Sequence, residues 1–199
     1  MQCNKEGILL SGGIDSMAIA YWKKPQLAFT VDYGQVCADA EIHAAAKIAK
    51  DIGIEHHIIR VNCSQLGSGS LCGKEQLRDA PAEEWWPYRN QLLVTFACMK
   101  GIGLGMSKLY VGSIKTDKFH KDGTKTFYEM MSKLVEYQEG GIKIEMPAAE
   151  LDTYELVAIS KMPVNAMLWS HSCHTSNNPC MKCSGCLKNY AIRLRYKIG

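Results

Sequence analysis

Short apolar runs alternate with stretches of helical spacing along most of the chain. Residues 7–10 (GILL) read as a buried strand, SGG as a turn, and Asp15 to Trp22 as a helix. The pattern repeats with LAFTVD at 27–32 as a second strand, YGQ as its exit loop and an Ala-rich helix over 38–51. HHIIRV at 56–61 predicts a third strand, residues 90–104 a helix, and LYVGS at 109–113 a fourth strand. A helix through about Tyr137, a short strand at 142–146 and a helix capped by Asp152 follow. Strands separated by helical patterns imply βαβ units, hence an α/β, doubly wound parallel sheet. Residues 62–84, Gly/Ser-rich and then acidic, predict a long loop, and long loops in compact domains are often functional. A second, charged loop spans 115–125. After Pro163 the pattern breaks into a cysteine cluster and a last basic helix.

Composition narrows this picture a little. The 199 residues are 47% hydrophobic and 22% charged, with a formal net charge of +3. That suits one soluble domain with a small appendage, drawn here as residues 1–165 and 166–199. No apolar run approaches the ~20 residues of a membrane span. The N-terminus lacks the apolar core and cleavage site of a secretory signal, so a cytoplasmic location is expected. The mild positive balance does not indicate nucleic acid, which leaves a clustered basic footprint.

The turn between the first strand and the first helix carries the chemistry. In doubly wound folds this turn is the usual phosphate site. In LSGGIDSMA, Gly12 and Gly13 let an anion approach the backbone, and Ser11 and Ser16 add hydroxyl donors. Asp15 is out of place beside an anion unless a cation comes with it, as Mg²⁺ on a nucleotide would. The loop lacks the Gly-Lys-Ser/Thr ending of the Walker type.

Nine cysteines are present, and four of them, Cys173, Cys180, Cys183 and Cys186, lie within fourteen residues. In a reducing compartment such a cluster points to metal. Four thiolates suit tetrahedral Zn²⁺ and leave no open position, so the site reads as structural. An iron–sulfur cluster is also open to four cysteines, and His171 and His174 are possible substitute ligands. Cys3, Cys37, Cys63, Cys72 and Cys98 are scattered and read as buried apolar side chains.

SGGIDS resembles the PP-loop of ATP pyrophosphatases. Together with VDYGQ (31–35), PYRN (87–90), VGSIKTD (111–117), EMPAAELDTYEL (145–156) and HSCHTSNNPCMKCSGC, it resembles the 7-cyano-7-deazaguanine synthase (QueC) family over most of the chain. The sequence departs from that family in places. Val36 and Cys37 stand where it usually has Arg-His, Lys115 replaces an acid, and a lysine typical of the late helix start aligns near Thr153.

The resemblance implies a Rossmann-like sheet of the PP-loop/HUP type with a zinc-binding C-terminal appendage. It implies ATP, Mg²⁺ and Zn²⁺ as cofactors, a 7-deazaguanine substrate and a homodimer. ATP would meet Ser11, Gly12, Gly13, Asp15, Ser16, Asp32, Tyr33 and Gln35. Substrate would meet Trp86, Arg89, Asn90, Thr116, Asp117, Phe119 and Asp122, with Trp85 and Tyr88 as further aromatic platforms. Asp15, Arg89 and Lys115 are the expected catalytic groups, with Lys118 another candidate cation. The expected reaction adenylates 7-carboxy-7-deazaguanine and joins it to ammonia, giving a nitrile. A QueC-like enzyme of anti-phage (CBASS-type) defence would instead leave an amide on a protein N-terminus. A PP-loop tRNA-modifying enzyme and a degenerate scaffold that binds a partner through its cysteine segment are the lesser alternatives.

Overall fold

The computed structural model describes residues 4–117 and 119–198; Cys3 and Lys118 lie outside them. Five parallel strands form one sheet in the order β3-β2-β1-β4-β5. They are β1 (Lys5–Leu9), β2 (Leu27–Asp32), β3 (Glu55–Arg60), β4 (Met106–Tyr110) and β5 (Lys143–Glu145). The helices are α1 (Ile14–Lys23), α2 (Ala38–Ile52), α3 (Arg89–Ile102), α4 (Lys125–Glu136), α5 (Thr153–Ser160) and α6 (Ser184–Arg195). No helix among the described residues is long and apolar enough to cross a membrane.

Alternation along the strands builds a core on each face. Ala28 of β2 joins Ile8, Met17, Ile19, Ile48, Leu156 and Ile192 on the face covered by α1, α2, α5 and α6. Its neighbours Leu27 and Phe29 turn the other way, onto Val94 and Ala97 of α3 and Met131 and Val135 of α4. The sheet is therefore doubly wound, as its periodicity predicts. The chain runs outward from β1 to β3, then crosses back to place β4 on the other side of β1. This reversal leaves a crevice at the carboxyl ends of β1 and β4, where ligands bind in such sheets.

β1, β3 and β4 start earlier than the apolar runs. β4 begins at Met106 rather than 109, and β1 at Lys5 rather than 7. Of the added residues, Glu6 and Lys108 are polar and pair across the sheet, while Met106 is buried in the core. Lys108 Nζ lies 3.1 Å from Glu6 Oε1, and Tyr110 Oη donates to Glu6 Oε2 at 2.8 Å. The predicted cap at Asp152 is a full capping box. Glu155 N–H donates to Asp152 Oδ1 at 2.9 Å, and Asp152 N–H to Glu155 Oε2 at 2.8 Å.

The long loop after β3 holds two short 3₁₀ turns, Ser64–Leu66 and Ser70–Cys72. Trp86 anchors it. This side chain is 2% exposed and packs edge-on against Tyr33 at 4.8 Å between ring centroids. A Cβ on Gly67 would come within 2.7 Å of the indole. Gly69 has φ 72° and ψ −170°, a region open in practice to glycine alone. A Cβ there would lie 2.1 Å from the Glu83 carbonyl oxygen. Gly53 also has positive φ, 71°, but faces open space. Gly53→Ala is expected to cost about 1 kcal/mol of unfolding free energy. Gly69→Ala is expected to cost about 3 kcal/mol. Urea midpoints of the two variants decide it, and equal shifts would refute a packed loop.

Candidate functional site

A cavity of about 760 Å³ opens at the carboxyl ends of β1, β2 and β4. The first loop forms its floor. Ser16 Oγ donates to the Gly13 carbonyl at 3.0 Å, Gly13 N–H to Ser11 Oγ at 3.4 Å, and the two serine hydroxyls are 3.2 Å apart. Gly13 caps α1 with no side-chain hydrogen bond, so that cap leaves the first-turn N–H groups open toward an anion. Gly12, at φ +75°, is pressed against α2, where a Cβ would meet the Glu41 carbonyl oxygen and Ala44 Cβ at 2.8 Å. Its own carbonyl accepts the His171 N–H at 2.9 Å. The loop is thus held between α2 and the cysteine segment.

Ser11, Gly13, Asp15, Ser16, Tyr33, Arg89, Asn90, Thr116, Asp117 and Phe119 all line the cavity. Asp15 Oδ2 pairs with Lys188 Nζ at 2.7 Å, while its Oδ1 is buried without a hydrogen-bond partner. Burial pushes the Asp117 carboxyl above its usual range, the Asp15 charge adds to that, and Lys188 opposes it. Ile114 N–H donates to Asp117 Oδ2 at 3.2 Å.

Arg89 opens α3. Burial works against its charge, but Tyr33, Asp122 and Glu41 outweigh that and hold it protonated. Burial raises the Glu41 carboxyl, opposed by Gln35, whose Nε2 donates at 2.8 Å, and by the Cys37 thiol at 3.4 Å. Burial also raises the Tyr33 hydroxyl strongly.

Several expected site residues lie off the wall of this cavity. Trp86 fills the core beneath the long loop and cannot be a platform for a base. Lys115 gives its backbone N–H to Leu151 and points its side chain outward. Asp32 Oδ1 accepts the Gly34 N–H at 3.2 Å, and Gln35 Oε1 accepts the Tyr33 N–H at 2.9 Å, so both shape the loop after β2 from behind. Asp122 presents its carbonyl, not its carboxylate, to Asn90 Nδ2 at 2.9 Å. Gly12 supports the loop rather than facing the cavity. Tyr88 is 75% exposed and Trp85 half-buried, and neither lines the cavity.

Among the wall residues that a reading of motifs misses are Glu41, Tyr128 and Lys188. The one local signal was for Lys188, two positions beyond the last clustered cysteine. His171 and His174 also line the cavity and stand outside the thiol group, so the substitute-ligand idea gives way to four cysteines.

The Sγ atoms of Cys173, Cys180, Cys183 and Cys186 all lie within 4.8 Å of one another. Four thiolates at about 2.3 Å from one ion would sit about 3.8 Å apart, and Cys180 and Cys186 are 3.9 Å apart. Backbone N–H groups of Cys183 and Lys182 hold the Cys180 thiol down to about 5, while burial pushes Cys186 up to about 12. The Cys183 sulfur accepts N–H bonds from His174 and Cys186, both at 3.4 Å. This cluster could hold a metal such as zinc. Cys37 and Cys63 are buried, and Cys72 and Cys98 half-buried, as core thiols.

The family model described as "Queuosine biosynthesis protein QueC" matches residues 6–192. The chain is 27% identical over 210 residues to 7-cyano-7-deazaguanine synthase 1 of Desulfitobacterium hafniense, covering 98% of this chain and 94% of that protein. It is 29% identical over 209 residues to 7-cyano-7-deazaguanine synthase of Methanocaldococcus jannaschii, covering 90% of each.

The purified protein is expected to retain one metal equivalent per chain. Cys183→Ser is expected to drop that below half and lower Tm by roughly 5 °C, about 2 kcal/mol for a chain of this size. Wild-type protein with less than half an equivalent would refute the site.

Proposed function

The chain belongs to the QueC family, and we propose on that premise that it is an ATP-dependent ligase making 7-cyano-7-deazaguanine from 7-carboxy-7-deazaguanine and ammonia. The observation that carries this reading is the SGGIDS loop at the sheet's reversal point, facing a cavity of about 760 Å³. The names of the relatives support the deazaguanine product.

The substrate carboxylate attacks the α-phosphorus of ATP, and pyrophosphate leaves. Ammonia displaces AMP from the acyl-adenylate to give an amide. A second ATP then adenylates the amide oxygen, and loss of AMP and a proton leaves the nitrile. AMP is a far better leaving group than oxide, which is why the carboxylate must be adenylated first.

The residues divide by position. Ser11, Gly13, Ser16 and the N-terminus of α1 would hold the pyrophosphate by N–H and O–H donors aimed at developing negative charge. Arg89, kept protonated by its acidic surroundings, would face the substrate carboxylate or the transferred phosphate. Asn90 and Asp117 would hold the polar edge of the base, and Phe119, at the mouth, its face. Asp15 fits a divalent cation, because its buried Oδ1 has no other partner. Mg²⁺ bound there would neutralise phosphate charge. The four cysteines fit zinc, holding the segment that bonds to Gly12.

Mass spectrometry tests the reading, with ATP, Mg²⁺ and 7-carboxy-7-deazaguanine offered to ammonium or to a glycine-leading peptide. A nitrile with two AMP per product is expected from ammonium. A peptide amide instead would make the protein a conjugating relative, and no AMP in either arm would refute adenylation. Asp15→Asn is expected to lower kcat/KM at least about 100-fold, or about 3 kcal/mol.

A further inference from the structure

One face of α6 lines the cavity: Ser184, Gly185, Lys188, Asn189 and Ile192. This is helical spacing, and Lys188 is its charged member. Among the described residues, Lys188 and Arg89 are the two lysine or arginine side chains on the cavity wall. They face different surroundings. Arg89 is surrounded by Tyr33, Asp122 and Glu41. Lys188 reaches the first loop, 2.7 Å from Asp15 Oδ2.

The helix that carries Lys188 is held firmly. A Cβ on Gly185 would lie 1.9 Å from the Ser172 carbonyl oxygen, so the first turn packs directly on that backbone. Asn189 Nδ2 donates to Ser170 Oγ at 2.9 Å and to Ser172 Oγ at 3.2 Å. The neighbouring His171 N–H donates to the Gly12 carbonyl. The Lys188 side chain itself is 44% exposed, and Asp15 is 18% exposed. An ion pair this open to water is weak enough to rearrange. A lysine ammonium has three donors, and the carboxylate uses one.

We propose that Lys188 is the pyrophosphate-binding cation of this cavity, reaching across from the cysteine-held helix to the oxygens of a diphosphate seated on the first loop. Asp15 keeps the ammonium aimed at that loop before the anion arrives. The same four cysteines that could bind metal therefore set the position of a charge in the phosphate subsite. This assignment rests on the reading of the cavity as a nucleotide site and adds a residue that the loop motif does not contain.

Binding of inorganic pyrophosphate and of AMP, each with Mg²⁺, tests it by calorimetry on full-length wild-type protein, Lys188→Met and Lys188→Arg. Metal content and Tm are measured on the same samples. Lys188→Met is expected to weaken pyrophosphate binding at least tenfold and to change AMP binding less than twofold, with metal content intact. Lys188→Arg, which keeps the charge, is expected to return pyrophosphate affinity to within about threefold. Unchanged pyrophosphate affinity in Lys188→Met overturns the proposal. So does an equal loss of both ligands, or loss of metal in both variants, since either makes Lys188 a clamp on α6. Wild-type protein that binds neither pyrophosphate nor AMP removes the nucleotide reading itself, and this assignment with it.

Discussion

The hydrogen bond from His171 N–H to the Gly12 carbonyl joins two parts of the chain on which the cavity depends. Gly12 belongs to a loop that α2 presses from one side, leaving no room for a side chain. His171 belongs to the segment that carries the cysteines. The bond sets the distance between floor and roof, and so where the cavity wall contributed by α6 stands. Strand order supplies the rest. With β4 placed beside β1, the loops leaving both strands diverge, and the gap between them is the crevice.

Charge in that crevice is arranged in two groups. Deep by α2 and α3, Arg89 sits among Tyr33, Glu41 and Asp122, where burial raises the Glu41 carboxyl and the Arg89 charge opposes that rise. Near the first loop, burial and the Asp15 charge raise the cost of ionising Asp117, while Lys188 opposes that rise and pairs with Asp15. A polyanionic ligand suits the second group only if it brings its own cation, because two carboxylates already occupy it. That requirement agrees with a metal-bound phosphate chain better than with a bare anion.

What a reader of the sequence can see depends on how local the chemistry is. The capping box at Asp152 spans four residues, and the first loop six, so both are legible as strings. The four cysteines are legible because few other roles suit so dense a group of thiols. Lys188 and Asp15 are 173 positions apart, and nothing near either one announces the other. Glu41 sits in an Ala-rich helix as an ordinary polar position, and only the packing of α2 against the first loop turns it inward. Trp86 fails in the opposite sense. An aromatic flanking a substrate-like motif invites a role in stacking, but the glycines at 67 and 69 exist to let the loop close over it.

The same distinction bears on the departures from the QueC pattern. Val36 gives its N–H to the Leu71 carbonyl at 2.9 Å, and Cys37 gives its thiol to Glu41. Neither reaches the cavity wall, so losing Arg-His there changes the support of the long loop rather than the lining of the site. Lys115 also lies outside the wall. Thr153 is different, because it is buried on the wall, at a position where the family resemblance leads one to expect a lysine. α5 carries no lysine or arginine, and Lys188 on α6 faces the same space. The positive group near the first loop comes from α6, so its position depends on the cysteine segment being in place.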